Sequence, residues 1–329
     1  MSSQSNLTGN KVILTKCLLS YIVESPSDIF INSAISCCVV NAIFFIMGCV
    51  LNSLVVVIYS MSKQLREKLT FLPVLVLCSV DLVTVTLVHP LFLLQTIAEV
   101  LGSPKCLYKV VFFSALYVFP IMSGLTLVIM NVERYLAIVR PLWYLQIENK
   151  KKKFMFACTF AWFLAVANFA CRVYKPRYSQ ALTMVCVIIS CLITLFVYSS
   201  IFRVAWKRRS WRRSEEMIGD FAQDINRNRI NFIHNLKIAK IYFIVVVLSF
   251  ICFLPVSIVV YAVKYPLQEN EARRLQMAQV YMWTNTFLCM NSTLNCLVFF
   301  WANARLRKEA WTIWRRFFPS EQVTLNTGD

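Results

Sequence analysis

The sequence predicts an all-α membrane protein: a seven-transmembrane helix bundle followed by a short amphipathic C-terminal helix. Composition is the first observation. Of 329 residues, 58% are hydrophobic and 15% charged, whereas soluble domains hold about 45–50% apolar and about 25% charged residues. The second is a set of apolar runs at roughly 32–59, 69–97, 107–138, 154–174, 180–204, 237–263 and 275–302, several of them longer than the roughly 20 residues a bilayer requires. The third is the placement of Lys and Arg, which fall in short segments between those runs.

Each run must be helical, because hydrocarbon offers no water to satisfy open backbone groups. Lys63, Arg66, Lys68, Arg140, Lys150 to Lys153, the 207–213 basic cluster and Arg305 to Arg316 fall on one side. Fewer cations fall on the other, so the richer face is expected to be cytoplasmic. Three regions result: an extracellular N-terminal segment over 1–31, the bundle over 32–302, and a cytoplasmic helix and tail over 303–329. No convincing signal peptide precedes the first span, which can direct insertion itself. Asn6 opens an Asn-Leu-Thr glycosylation sequon on the outer segment. Over 303–318, Leu306, Ala310, Ile313, Trp314 and Phe317 share one face and cations the other, as in a helix lying on the inner leaflet.

The formal charge of +18 invites a nucleic-acid reading, but its confinement to the inter-span segments points instead to membrane lipid. Most of the 13 cysteines lie inside apolar runs, where a thiol acts as a small hydrophobe. Only Cys17, Cys106 and Cys171 are placed to meet an oxidising outer face.

One formally charged side chain lies deep in an apolar run: Asp81. A carboxylate at the bilayer centre costs about 2.5–3.5 kcal/mol or more unless partnered. Candidate partners are Asn52, Ser123, Asn291, Ser292 and Asn295. Asn291 and Asn295, four apart, share a helical face. The cluster reads either as a structural polar knot or as a hydrated cation site, for sodium, with Asp81 as its anion.

Glu133-Arg134-Tyr135, continuing to Arg140-Pro141-Leu142, resembles the Asp/Glu-Arg-Tyr signature closing the third helix of rhodopsin-like (class A) G-protein-coupled receptors. Asn52, Asp81, Trp162 and Tyr198 match the marker residues of the first, second, fourth and fifth spans. Cys252-Phe253-Leu254-Pro255 is similar to the sixth-span Cys-Trp-x-Pro, and Asn295 to Phe299 to the seventh-span Asn-Pro-x-x-Tyr. The resemblance covers about 35–315. It implies that Glu133 holds Arg134 inward until the sixth helix swings out, pivoting at Pro255, and that Arg134 and Leu142 then meet a heterotrimeric G protein. A proline there removes a backbone hydrogen bond.

The departures from this pattern also carry expectations. Phe253 replaces the Trp taken as the ligand sensor, and Phe299 replaces the Tyr whose hydroxyl helps hold the active state. Cys296 replaces Pro, and Asn235 stands where an acid often pairs with the arginine. Fewer restraints on Arg134 imply elevated ligand-free signalling. The family's outer disulfide would be Cys106–Cys171 here, with free thiols or pairing to Cys17 as the alternatives. The short segment after the fourth span and the missing fifth-span proline resemble the melanocortin–cannabinoid–adenosine branch.

The resemblance also bounds the extracellular ligand. Leu116 stands where amine receptors carry an acid. Cys289 stands where opsins carry a lysine. The implied pocket, lined by Phe113, Leu116, Tyr117, Pro120, Val256, Ser257, Tyr261, Asn285 and Cys289, suits a small neutral or lipid-like ligand. A transporter would show a polar path or repeated halves, and an enzyme a catalytic constellation, for which His89 and His234 are too few and too far apart. A decoy receptor that binds without coupling is the nearest rival.

Overall fold

The computed structural model describes residues 14–17, 20–215, 222–262 and 271–317. Asn6 and the candidate phosphorylation positions Ser320, Thr324 and Thr327 fall outside them.

The helices run in chain order as α1 (Asp28–Met61), α2 (Lys63–Glu67), α3 (Leu72–Val100), α4 (Cys106–Val139), α5 (Pro141–Gln146), α6 (Lys150–Tyr174), α7 (Pro176–Glu215), α8 (Ala222–Ala262), α9 (Glu271–Ala302) and α10 (Ala304–Phe317). Their ends follow local chemistry. The Ser27 hydroxyl accepts from the Phe30 amide at 3.3 Å, which satisfies one of the free amides of the first turn of α1. Ser62 does the same for α2 through Leu65. Prolines open α3 and α5, where a missing N–H costs nothing. Lys175 alone separates α6 from α7, so the short outer connection expected from sequence is a single residue.

α1, α3, α4, α6, α7 and α8 are each long and apolar enough to cross a bilayer. α9 qualifies as the seventh span together with α10, which turns from it by 91°. The helices run past the apolar runs into charged sequence, as in α7, which ends at Glu215. An α-helix satisfies its own backbone, so it need not stop where the lipid does. α10 carries Leu306 and Ile313 on its buried side, with Arg305, Arg307 and Lys308 exposed. Leu306 and Ile313 follow the amphipathic pattern read from the sequence, and the Trp314 and Phe317 side chains lie outside those described.

The bundle is apolar outside, and its polar side chains are gathered inside, among a largely apolar core. Ile29, Ile35, Ile43, Ile46, Val50, Ile188, Leu192 and Leu195 are exposed, while Asn41, Asn52, Asp81, Thr84, Ser123, Asn131, Asn291 and Asn295 are buried. Such an arrangement is at home in hydrocarbon, where the backbone and every polar side chain must find partners within the protein. α4 is the hub, touching α3, α6, α7, α8 and α9. Gly48 lets α1 approach its neighbours closely: a Cβ there would lie 2.4 Å from the Thr293 hydroxyl and 2.8 Å from Val85.

At the end of the bundle where α4 begins, β1 (Leu14–Cys17) and β2 (Ser20–Val23) form an antiparallel hairpin pairing Leu14 with Val23 and Cys17 with Ser20. It corrects one expectation. Cys106 is bonded to Cys17, and Cys171 is a free thiol. The hairpin brings Cys17 to the head of α4, so the outer disulfide ties the N-terminal segment to the bundle instead of joining the ends of α4 and α6. Glu99 secures the same junction. It is buried, accepts from Lys109 Nζ at 2.7 Å and from the Val23 amide at 3.3 Å.

Candidate functional site

Arg134 sits on the last turns of α4 with only 1% of its surface exposed. Its guanidinium donates to both carboxylate oxygens of Glu133, from Nε and, at 2.6 Å, from Nη2. The Glu133 carboxylate accepts a third bond from the Tyr144 hydroxyl of α5 at 2.5 Å. Burial, and the negative Glu133 beside it, push the Tyr144 phenol well above its ordinary value, so it keeps its proton and acts as a donor. From α8, the buried Tyr242 ring lies 5.8 Å from the guanidinium carbon and meets the Phe299 ring of α9 edge-on at 5.7 Å.

The result is a clasp made from four helices, in which α4 supplies charge, α5 a hydroxyl, and α8 and α9 aromatic cover. Two polar atoms inside it, Arg134 Nη1 and the Tyr242 hydroxyl, have no hydrogen-bond partner among the described residues. Buried polar atoms left without a partner carry their full desolvation cost.

The other sequence-predicted inner residues fall around the clasp. Tyr135 packs on Phe196 at 5.5 Å. Pro141 opens α5, and Leu142 is 78% exposed beside Trp143 and Leu145. The Tyr198 hydroxyl donates to Asn131 at 2.7 Å, and its ring lies edge-on to Phe243. α8 runs unbroken through Pro255, with Phe253 just before it. Asn235 contributes no acid, and among the described residues no carboxylate from α8 pairs with Arg134.

Nearer the bundle centre the expected polar cluster assembles. Asn295 donates to Asp81 at 3.0 Å and to Ser123 at 3.5 Å, and its carbonyl accepts from Ser249 at 3.3 Å. Asn52 donates to the Ser292 and Gly48 carbonyls, joining the cluster through the backbone of α9 instead of through Asp81 itself. Cys296 faces Cys78 at 3.7 Å. One oxygen of Asp81 and both polar atoms of Asn291 are buried without partners among the described residues. Oxygen donors around a single carboxylate suit a hard cation. Among the described residues no group of three His, Cys, Asp or Glu side chains offers a transition-metal site.

At the outer end, Phe113, Leu116 and Cys289 are buried in one apolar cluster with Phe92, Phe112 and Met282, and Val256 packs against it. Pro120 and Asn285 are buried nearby, and Ser257 is spent on the Phe253 carbonyl. The Tyr261 side chain lies outside those described. Tyr117 faces α6 and α7, where Asn168, Ser179 and Thr183 bond its hydroxyl. A cavity of about 370 Å³ opens elsewhere, between α4, α6, α7 and α8, and none of the nine pocket residues lines it.

The family described as "7 transmembrane receptor (rhodopsin family)" matches residues 51–175 and 167–299. The chain belongs to that family. Membership makes it a receptor, not an enzyme. The crystal structure of squid rhodopsin superposes on this receptor with a TM-score of 0.73, covering 94% of this chain and 91% of that one at 14% identity. That likeness shows the fold alone. Among curated proteins no relative matches.

The receptor's clasp residues Tyr144 and Tyr242, and its buried Asn131 and Glu99, escaped sequence reasoning. An aromatic on an apolar helix reads as packing. Glu99 ends its apolar run and finds Lys109 only after the chain turns.

Proposed function

We propose that this receptor is a G-protein-coupled receptor that binds a small non-amine ligand from outside and activates a heterotrimeric G protein through outward movement of α8. The Arg134 clasp carries the reading. A fully buried guanidinium tied to the adjacent residue of its own helix, and covered by an α8 ring, changes its surroundings if α8 moves. Withdrawal of Tyr242 uncovers the guanidinium and leaves its unmet donor facing the inner surface. Exposed Leu142 supplies an apolar anchor beside it. The basic inner segments supply a rim complementary to an acidic partner.

Asn235, standing where an acid often pairs with the arginine, supports ligand-free signalling above vector background. The single-residue connection at Lys175 supports the resemblance to the melanocortin–cannabinoid–adenosine branch. The basic inner segments support an N-terminus outside and a C-terminus inside, and membership of the receptor family supports residence in the plasma membrane. The unmet atoms of Asp81 and Asn291 support a sodium ion held by Asp81, Ser123, Asn291, Ser292 and Asn295.

A ligand-library screen read out by G-protein activation tests the proposal. The wild type responds to a hit, and Arg134→Ala at equal surface expression does not. Binding of a hit with no recruitment by the wild type makes it a decoy, the reading that Phe299 and Cys296 favour.

A further inference from the structure

The cavity between α4, α6, α7 and α8 belongs neither to the outer pocket nor to the inner clasp. Ile121, Leu125, Val128, Leu164, Leu182 and Val187 make its walls largely apolar, and Phe253 closes one side. Lining residues Leu164, Leu182 and Cys186 are exposed on the periphery of the bundle, the surface that faces lipid. The α7 residues along it run from Leu182 to Thr194. At 1.5 Å per residue they span roughly 18 Å, which matches an extended chain of about fourteen carbons with single bonds of about 1.5 Å.

At the outer end of this slot stands a cation. Asn168 and Thr183 line the cavity and bond the Tyr117 hydroxyl. Arg172 stacks on that tyrosine's ring, 4.5 Å from its centroid. Among the described residues Arg172 has no carboxylate partner. Its stacked face is used and its donor edge remains, a geometry that takes one carboxylate through two parallel bonds. A chain leaving the bilayer gains little hydrophobic energy, since lipid tails are as apolar as the walls. The head group must therefore provide the selectivity.

We propose that this slot is a membrane-facing binding site for a long-chain carboxylate, with the acyl chain along α7 and the carboxylate on Arg172. Ser249 of α8 both lines the slot and bonds Asn295 of the polar core, so occupancy biases the position of α8.

The test uses full-length receptor in nanodiscs and a photoactivatable sixteen-carbon fatty acid, with crosslinks mapped by mass spectrometry. Palmitate and hexadecanol serve as competitors. Crosslinks should fall on α6 and α7 peptides carrying lining residues. Palmitate should compete at least about tenfold better than hexadecanol, the factor that 1.4 kcal/mol of a charged hydrogen bond supplies. Arg172→Gln should weaken competition by a similar factor, and Val187→Trp should abolish labelling by filling the slot. Labelling spread evenly over the lipid-facing helices would overturn the proposal. So would equal competition by the alcohol on the wild type, a result that needs no variant to fold.

Discussion

At the residue scale, Asp81 and Arg134 show what a buried charge demands of its surroundings in a membrane protein. Each is expensive to hold in hydrocarbon and is retained among partners. Asp81 accepts from Asn295 and keeps one oxygen unmet. If a sodium ion meets that need, replacing choline with sodium raises the melting temperature of the purified receptor. The gain is about 1.4 kcal/mol for each tenfold of sodium above its dissociation constant. Asp81→Asn, which keeps the shape and removes the charge, should melt at one temperature in both salts. A sodium response preserved in the variant places the ion elsewhere. Asp81 and its partners were legible because polar residues are rare in such runs. Tyr242 was not, because nothing in an apolar sequence distinguishes a ring over a guanidinium from a ring in lipid.

At the scale of elements, the spans were read from length and apolarity, since the bilayer imposes both. α10 was read from the spacing of Leu306, Ala310 and Ile313. The N-terminal hairpin was not, and with it went the disulfide. Cys106 could find Cys171 or Cys17, and the choice depends on where a short hairpin lands on the head of α4. With Cys17 as the partner, Cys17→Ser and Cys106→Ser should each destabilise the receptor by about 2–4 kcal/mol. The double variant should cost no more than either alone, and Cys171→Ser should be neutral. Thermal melting of the four purified variants checks this. An additive double variant would break the Cys17–Cys106 pairing, and a Cys171→Ser loss matching that of Cys106→Ser would restore the pairing first expected.

At the scale of the whole molecule, the proposed seven spans would place the two ends of the chain in different compartments. On the proposed orientation the hairpin lies on the outer face and the clasp on the inner one. An epitope tag before Asn6 should bind antibody on intact cells and shift in mass on deglycosylation, while a C-terminal tag should require permeabilisation. Both ends reached from one side would undo the topology and every role assigned to the inner face.

Under the proposed function the clasp joins these scales: the Glu133–Arg134 pair of α4 holds the guanidinium beneath the Tyr242 ring of α8, and that hold is the restraint on α8. Ligand-free G-protein recruitment by Glu133→Gln measures it most directly. That change removes the negative charge opposite Arg134 and keeps the side chain's size. Recruitment should rise several-fold over wild type at equal surface expression, and Arg134→Ala in the same background should return it to vector level. Recruitment unchanged by Glu133→Gln, or surviving without Arg134, would contradict a switch built on this pair.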